Sequence, residues 1–175
     1  MVPEREPPDR DPPGREKPEA PPEPEVELVE VRGPGEFAAA LAIREIVFIE
    51  EQQVPREIER DDEDPTAFHL LAQVGGHAIG TGRLVELREP PPGEQGRWGQ
   101  IGRMAVLVAH RRGKVGSKIL ARLEEEARRR GLDGILLHAQ VYAHGFYEAV
   151  GYRDASPIFD EAGIPHTEMR KRLTA

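Results

Sequence analysis

The sequence predicts a single α/β domain with a mixed β-sheet, preceded by a disordered tail. Apolar segments with strand periodicity and helix periodicity follow one another in the order β-α-β-β-β-α-β-α-β-β, which is typical of a mixed sheet flanked by helices. A length of 175 residues allows one domain of ordinary size. Composition changes abruptly near Glu25, where the folded part is expected to begin.

The predicted tail comprises residues 1–24 and contains nine of the seventeen prolines and eleven charged side chains. Such a segment has too little apolar surface to offset the entropy lost on ordering, so it is predicted to be disordered. The remaining residues, 25–175, form the predicted domain.

The first predicted strand is the alternating segment at 26–31 (VELVEV). Pro34, Gly35 and Glu36 then open a segment with apolar residues at helical spacing, and this helix is predicted to run to about Glu51. Residues 55–66 are strongly charged and are predicted to form a loop.

A hairpin and a long strand are predicted next. Strands at 68–74 and 77–87 are joined by Gly75-Gly76, a pair that favours a two-residue turn. A proline-rich loop at 88–97 leads to a strand predicted over Trp98–Val108, whose second half is apolar.

The C-terminal part is predicted to contain two helices and three strands. The basic, glycine-containing turn Arg111–Gly116 leads into an amphipathic helix, and a short helix later ends before Gly151. The predicted ranges are a helix at 117–130, a strand at 135–141, a short helix at 143–150 and closing strands at 152–159 and 166–173.

Charge and composition argue against several classes of function. The net charge of −8 divides into −3 for the tail and −5 for the domain, which argues against nucleic-acid binding. The absence of cysteine excludes disulfides and thiolate sites, and the histidines lack metal-site spacing, so no metal is expected. Without a membrane-length apolar run or a secretory signal, a cytoplasmic protein without membrane contacts is expected.

The strongest chemical signal is the strand, the segment HRRGKVGS at 110–117, and the helix that follows. Free N–H groups and the dipole at a helix N-terminus stabilise a phosphate, and the basic side chains can add charge-assisted contacts. An ordinary basic surface turn is the alternative. A P-loop does not fit, because Val115 follows Lys114 where Ser or Thr is required, and a dinucleotide-binding motif does not fit, because no G-x-G-x-x-G fingerprint is present.

Four stretches of the chain resemble the GNAT superfamily of N-acetyltransferases, and in particular its ElaA/YjcF-like branch. The resemblance covers residues 25–173 and implies a mostly antiparallel sheet that splays between its fourth and fifth strands. The stretches are VFIEEQQVP at 47–55, IGRMAVLVAHRRGKVGSKIL at 101–120, LHAQVYAHGFYEAVGY at 137–152 and FDEAGIPHTEM at 159–169.

The resemblance implies that acetyl-CoA is a cosubstrate lying in the splayed opening. Its thioester arm would bond to the fourth strand and its pyrophosphate would rest on the basic turn. The implied coenzyme A contacts are Ala105, Val106, Leu107 and Val108 on the strand, Arg111, Arg112, Gly113, Lys114, Val115, Gly116 and Ser117 in the turn, and Gln140 and Phe146 opposite.

One residue departs from the superfamily turn, R/Q-x-x-G-x-G/A. Lys114 stands where the middle glycine is expected, so its side chain must point away and its backbone is expected to avoid positive φ.

The resemblance also suggests catalytic and acceptor-binding residues. Tyr147 matches the general-acid tyrosine of many relatives, although Phe146 and Tyr147 could simply pack the short helix against the sheet. Glu51 is predicted to bind substrate, against the alternative of a solvated acidic loop, and the general base is left open. His166 is a second candidate for substrate binding, whereas His138 is expected to be structural.

The leading hypothesis is acetyl transfer from acetyl-CoA to a primary amine of a small molecule or peptide. The alternatives are an acyl-CoA sensor with weak or no catalysis, and a scaffold whose tail recruits a partner. Neither the acceptor nor the oligomeric state follows from these residues, and a homodimer is one of the open alternatives.

Overall fold

The computed structural model describes residues 21–174, so most of the predicted tail lies outside the described residues. Residues 21–25 are exposed and have no regular secondary structure, and the first strand begins at Val26. None of the helices in residues 21–174 has the length and apolar character needed to cross a bilayer.

Within residues 21–174 the chain forms four α-helices and eight strands. The helices are α1 (Pro34–Arg44), α2 (Arg56–Glu59), α3 (Val115–Arg129) and α4 (His144–Glu148). The strands are β1 (Val26–Glu30), β2 (Phe68–Val74), β3 (His77–Glu86), β4 (Trp98–Val106), β5 (Gly134–Gln140), β6 (Arg153–Asp154), β7 (Phe159–Glu161) and β8 (Ile164–Arg172).

The strands form one mixed sheet in the order β1-β2-β3-β4-β5-β8-β6, with β7 also paired to β8. All neighbours are antiparallel except β4 and β5. This parallel pair extends only from Trp98↔Gly134 to Gln100↔Leu136, after which the two strands diverge. The mostly antiparallel sheet that splays between its fourth and fifth strands is therefore as predicted.

An irregularity in the β3–β4 pairing lies just beyond the point of divergence. Thr81 pairs with Ala105 and Arg83 with Gly102, so Arg103 and Met104 together face the single residue between Thr81 and Arg83. Such a bulge bends a strand and increases its twist. The bulge thus accompanies the divergence of β4 from β5.

Helix α3 covers one face of the sheet and supplies much of the core. Its buried residues include Ile119 and Leu123, which pack over β3 where that strand has glycines. A Cβ atom on Gly82 would lie 2.7 Å from Ile119 Cγ2 and 2.9 Å from Leu123 Cδ1. Glycine is therefore required at this position for the helix to approach the sheet.

Helix α1 and a π-helical turn (Glu45–Glu51) that continues it cover the other face. Ile43 and Val47 pack there against Ala105 of β4 in a second, smaller cluster. In the π-helical turn the N–H of Gln52 bonds to the carbonyl of Val47, five residues earlier. The predicted helix thus reaches Glu51, but with a widened last turn.

Three predicted elements differ from the structure. The loop predicted at 55–66 contains the short α2. Strand β4 ends at Val106 rather than Val108, which lies in a 3₁₀ turn (Val108–His110). The strand predicted at 152–159 is divided into β6 and β7, because the segment between them contains Pro157, which has no N–H to donate to a ladder.

Candidate functional site

A cavity of about 630 Å³ occupies the opening between β4 and β5. Strand β4 and the start of α3 line one side of it, and β5, α4 and β8 line the other. Phe48 and Gln52 near the end of the π-helical turn also contact it. Because β5 pairs with β4 only as far as Gln100, the β4 backbone from Ile101 to Val106 faces this cavity on its β5 side without a strand partner.

The basic turn before α3 presents backbone N–H groups that lie outside the helical ladder. The N–H of Lys118 bonds to the carbonyl of Lys114, so the N–H groups of Val115, Gly116 and Ser117 precede the helical ladder. Within residues 21–174, neither Arg112 nor Lys114 forms an ion pair. These donors and charges are available to an anionic group.

The prediction for the Lys114 backbone was wrong. Lys114 has φ 59° and ψ 24°, the left-handed conformation that favours glycine. The lysine therefore keeps the backbone geometry that a glycine would adopt at this position of the turn. Having lysine in place of glycine therefore changes the charge of the turn and the energetic cost of its conformation, but the backbone follows the same path.

The glycines of the turn are not required by contacts within the protein. A Cβ atom on Gly113 would lie 3.7 Å from its nearest neighbour, and one on Gly116 would lie 3.8 Å from Phe146 Cζ. Both are ordinary van der Waals distances. Because glycine has no side chain, a phosphate group can approach the backbone of the turn closely.

Arg111 is bound to Glu51 across the mouth of the cavity. Its Nη1 and Nη2 donate to Glu51 Oε1 and Oε2 at 2.6 and 2.7 Å, and its Nε donates to the Val106 carbonyl at 2.9 Å. The hydrogen bond from Arg111 lowers the pKa of Glu51. In this arrangement the Glu51 carboxylate is bound to the Arg111 guanidinium that was predicted to bind pyrophosphate.

Most of the predicted site residues surround the same cavity. Gly113, Val115, Leu107, Val108 and Glu51 are not part of its lining; the Val115 side chain is buried in the core, and Val108 is exposed. Those that line it are Ala105, Val106, Arg111, Arg112, Lys114, Gly116, Ser117, Gln140, Phe146, Tyr147 and His166.

Tyr147 is partly buried on α4, between the core and the cavity. Its ring contacts Phe146 and Tyr152 edge-on, with centroid distances of 4.9 and 5.9 Å. Burial, with a smaller contribution from Tyr142, raises the pKa of Tyr147 to about 12. The phenol is therefore protonated at neutral pH. Its ring also packs the short helix against the core, which was the structural alternative for this residue.

The face of β5 opposite α3, which we call the outer face, carries His138 and Gln140. Leu137 and Ala139, which alternate with them along the strand, belong to the core. Gln140 Nε2 donates to Gln52 Oε1 at 2.9 Å, which links the outer face to the end of the π-helical turn. His138 and His166 both line the cavity on this side.

The sequence reasoning missed a cluster of three arginines beside the cavity, of which Arg44 and Arg83 are buried and Arg103 is partly buried. Arg44 donates to Glu59 and to Asp64, Arg83 to Asp61 and Asp64, and Arg103 to the Glu59 carbonyl and Asp61. Glu59, Arg83 and Arg103 line the cavity. The available signal was Arg44 among apolar helix residues, and Arg83 and Arg103 within predicted strands, which does not identify their partners.

Comparison with known proteins agrees with this architecture. The family profile of the acetyltransferase (GNAT) domain matches residues 38–173. The uncharacterized N-acetyltransferase YjcF of Bacillus subtilis is 37% identical over 133 residues, covering 75% of this chain and 89% of YjcF.

Two solved structures are also similar. An acyl-CoA N-acyltransferase of Pseudomonas aeruginosa superposes with a TM-score of 0.71 and 28% identity, covering 84% of this chain and 99% of that one. Escherichia coli ElaA has the same fold, with a TM-score of 0.73 and 24% identity over 84% of this chain and 99% of ElaA. On its sequence and its splayed sheet, the chain belongs to the GNAT acetyltransferase family.

Proposed function

We propose that this protein transfers the acetyl group of acetyl-CoA to a primary amine by direct attack within a ternary complex. The observation that carries the proposal is the divergence of β4 and β5 beside the free N–H groups at the start of α3. Residues 25–175 would carry the activity. The acceptor would be a small molecule or a peptide.

On the cofactor side, an anionic diphosphate would replace Glu51 as the partner of the basic turn. Arg111, Arg112 and Lys114 would supply positive charge, and the N–H groups of Val115–Ser117 would donate to the phosphate oxygens. The extended arm would bond to the backbone of β4 where it faces the cavity, at Ala105 and Val106, between Gln140 and Phe146. Moving Arg111 from Glu51 costs little, because the pair is exposed.

Transfer requires a neutral amine, a donor to the developing oxyanion and a proton for the leaving sulfur. A backbone N–H near Met104–Val106 would donate to the carbonyl oxygen. The amine nitrogen would bond to the carbonyl carbon, the C–S bond would break, and Tyr147 would give its proton to the sulfur. The proton lost by the nitrogen replaces the one supplied by Tyr147, so the products are the amide and the free thiol.

An acyl-CoA sensor is the second candidate. One observation favours it: the neutralisation of Arg111 by Glu51. This ion pair would weaken cofactor binding relative to a turn with a free arginine, and weak catalysis would follow.

Calorimetry with acetyl-CoA, followed by a thiol-release assay, tests the proposal. The acceptor panel would contain spermidine, glucosamine, N-α-acetyl-lysine and a peptide with a free N-terminus. We expect binding and turnover of at least one amine. Binding without turnover on any amine would favour the sensor, and no binding of acetyl-CoA would refute both candidates.

A pair of tyrosine variants tests the proposed acid. Tyr147→Phe should lower kcat by roughly 10²-fold or more, with little change in acetyl-CoA affinity. Tyr152→Phe is the matched control, because the Tyr152 hydroxyl bonds to Glu124 outside the cavity. It should lower thermal stability and leave kcat unchanged. Equal kcat in Tyr147→Phe and the parent would exclude Tyr147 as the acid.

A further inference from the structure

His138, Glu161 and His166 form a group in the cavity that the chemistry above does not use. They come from β5, β7 and β8, and all three line the cavity. Glu161 lies between the two imidazoles, with Oε1 3.1 Å from His138 Nδ1 and Oε2 3.6 Å from His166 Nε2. Phe159 contacts His138 edge-on and stacks on His166, with centroid distances of 5.1 and 6.1 Å.

This group lies on the opposite face of the sheet from α3. His138 points away from the core on the outer face of β5, like Gln140, whereas α3 begins on the inner face. A cofactor whose diphosphate rests on α3 therefore leaves the outer face free for the acceptor. Tyr147 packs against the inner core, so it and His138 reach the cavity from opposite sides.

The hydrogen bonds of the group assign a tautomer to each neutral imidazole. His138 Nδ1–H donates to the Glu161 carboxylate, which leaves the lone pair on Nε2. The nearest carboxylate to that Nε2 is Glu168 at 3.7 Å, beyond hydrogen-bond length. His166 Nδ1–H donates to the Ile164 carbonyl at 2.7 Å, so its own Nε2 faces Glu161.

We propose that His138 Nε2 is the general base that deprotonates the acceptor amine, and that Glu161 is the positioning residue that holds its imidazole. This assignment rests on the proposed function. Nε2 takes one proton from the incoming ammonium group, and the freed lone pair on nitrogen then forms the C–N bond. His138 afterwards releases that proton to solvent, which completes the overall release of one proton per amide formed.

The charges around His138 favour its protonated form. Glu161 and Glu168 face it from β7 and β8, and Glu168 is itself bound to Arg170. The charges of His166 and of Arg103 on β4 help to lower the pKa of Glu161. The hydrogen bond to Glu161 raises the pKa of His138 above 6.5 despite the opposing effect of burial. A base must be neutral, so kcat/KM should rise as pH increases through this pKa.

Titration of the histidine side chains by NMR tests the positioning role without any acceptor. Glu161→Gln should move the pKa of His138 to a lower value than in the parent protein. Asp160→Asn is the matched control, because Asp160 is the neighbouring acid on β7 and its carboxylate accepts from the Gly163 N–H rather than from His138. It should leave the pKa of His138 unchanged.

Rate profiles against pH test the catalytic role, using the amine of the panel with the highest kcat/KM. His138→Gln should lower kcat/KM by about 10²-fold at neutral pH and remove the pH dependence that comes from ionisation of His138, so that the rate follows only the neutral fraction of the amine. Glu161→Gln should move that dependence to lower pH. His144→Gln, which removes a histidine bound to Asp154 outside the cavity, should match the parent.

The outcomes separate this assignment from the proposed function. A parent protein that binds acetyl-CoA but acetylates no amine refutes the proposed function, and the assignment with it. A parent that turns over, while His138→Gln keeps the same rate and pH profile, refutes the assignment alone. If His138→Gln fails to fold, an unchanged His138 pKa and rate profile in Glu161→Gln would overturn it.

Discussion

Lys114 adopts a backbone conformation that glycine would adopt at lower cost. A left-handed conformation costs an ordinary residue about 1 kcal/mol or more, and the φ of Lys114 is 59°. Lys114→Gly should therefore raise the free energy of unfolding by about 1 kcal/mol, measured by urea denaturation.

The matched variant Lys114→Ala separates strain from charge. It removes the same charge but keeps a Cβ atom in the left-handed region, so no stabilisation is expected. Both variants should weaken acetyl-CoA binding to a similar extent if the ammonium group contributes to affinity. Equal free energies of unfolding for Lys114→Gly and Lys114→Ala would show that the left-handed backbone at this position is not strained.

Tyr147 should produce no alkaline limb in the rate profile within the usual assay range. A general acid must be protonated to act, and burial raises the pKa of Tyr147 to about 12. The kcat of the parent protein should therefore not fall between about pH 8 and pH 10, as measured by thiol release with saturating amine. A fall centred near pH 9 would show that the acid is a different group or that the phenol is solvated.

At the scale of residues, the sequence predicts the position of a local turn better than it predicts contacts between distant side chains. Arg112, Lys114 and Ser117 are neighbours in the chain, and their role depends mainly on the helix that they precede. Glu161 and His138 are 23 residues apart and meet only because β7 folds back onto β8 beside β5. Spacing in the sequence contains no information about such a contact.

At the scale of elements, the pairing of Glu51 with Arg111 joins the π-helical turn to the segment before α3. Glu51→Gln should free the guanidinium for the cofactor and raise acetyl-CoA affinity by up to about fivefold, since an exposed pair contributes roughly 0–1 kcal/mol. Calorimetry at low and high salt measures the effect, which should shrink as salt increases.

Glu50→Gln provides the control for this charge change. Glu50 is the exposed neighbour of Glu51, and its backbone carbonyl, not its side chain, accepts a hydrogen bond from Gln53. The variant removes the same charge from the same turn and should leave affinity nearly unchanged. A loss of affinity in Glu51→Gln would indicate that Glu51 itself supports binding, as expected for a substrate contact.

The order of helices and strands was predictable because each depends on local periodicity and turn residues. Gly75 and Gly76, for example, both have positive φ values, 55° and 78°, as a tight hairpin requires. The π-helical turn was not predictable, since its apolar spacing resembles that of an α-helix. The division between β6 and β7 had a visible signal in Pro157.

At the scale of the whole molecule, the buried cluster around Arg44 connects α1, α2 and the loop that follows. The Arg44 side chain is almost fully buried and forms ion pairs with the carboxylates of Glu59 and Asp64. Arg44→Met should lower the free energy of unfolding by about 3–5 kcal/mol, because it leaves buried negative charges without a partner. Arg32→Met, at an exposed arginine, should change it by less than about 0.5 kcal/mol.

The same cluster predicts how stability depends on acid. Burial opposes the ionisation of Asp64, but Arg44 and Arg83 outweigh it and lower its pKa from 3.8 to about 2. The stabilisation from this group, on the order of 2 kcal/mol, is complete above about pH 4 and is lost as pH falls toward 2. Urea denaturation across this range should show a shallower loss in Arg44→Met than in the parent protein.

The early end of the β4–β5 pairing has a consequence for solubility as well as for binding. Unpaired strand edges on a protein surface invite other chains to add strands, and they promote aggregation. Here the free edge lies inside the sheet, where β5 and the turn before α3 flank it. A strand of another molecule can pair with this edge only by entering between β4 and β5, so the edge is less accessible than one at the border of a sheet. The unpaired edge of β4 can thus remain available to a ligand while being protected from pairing with strands of other molecules.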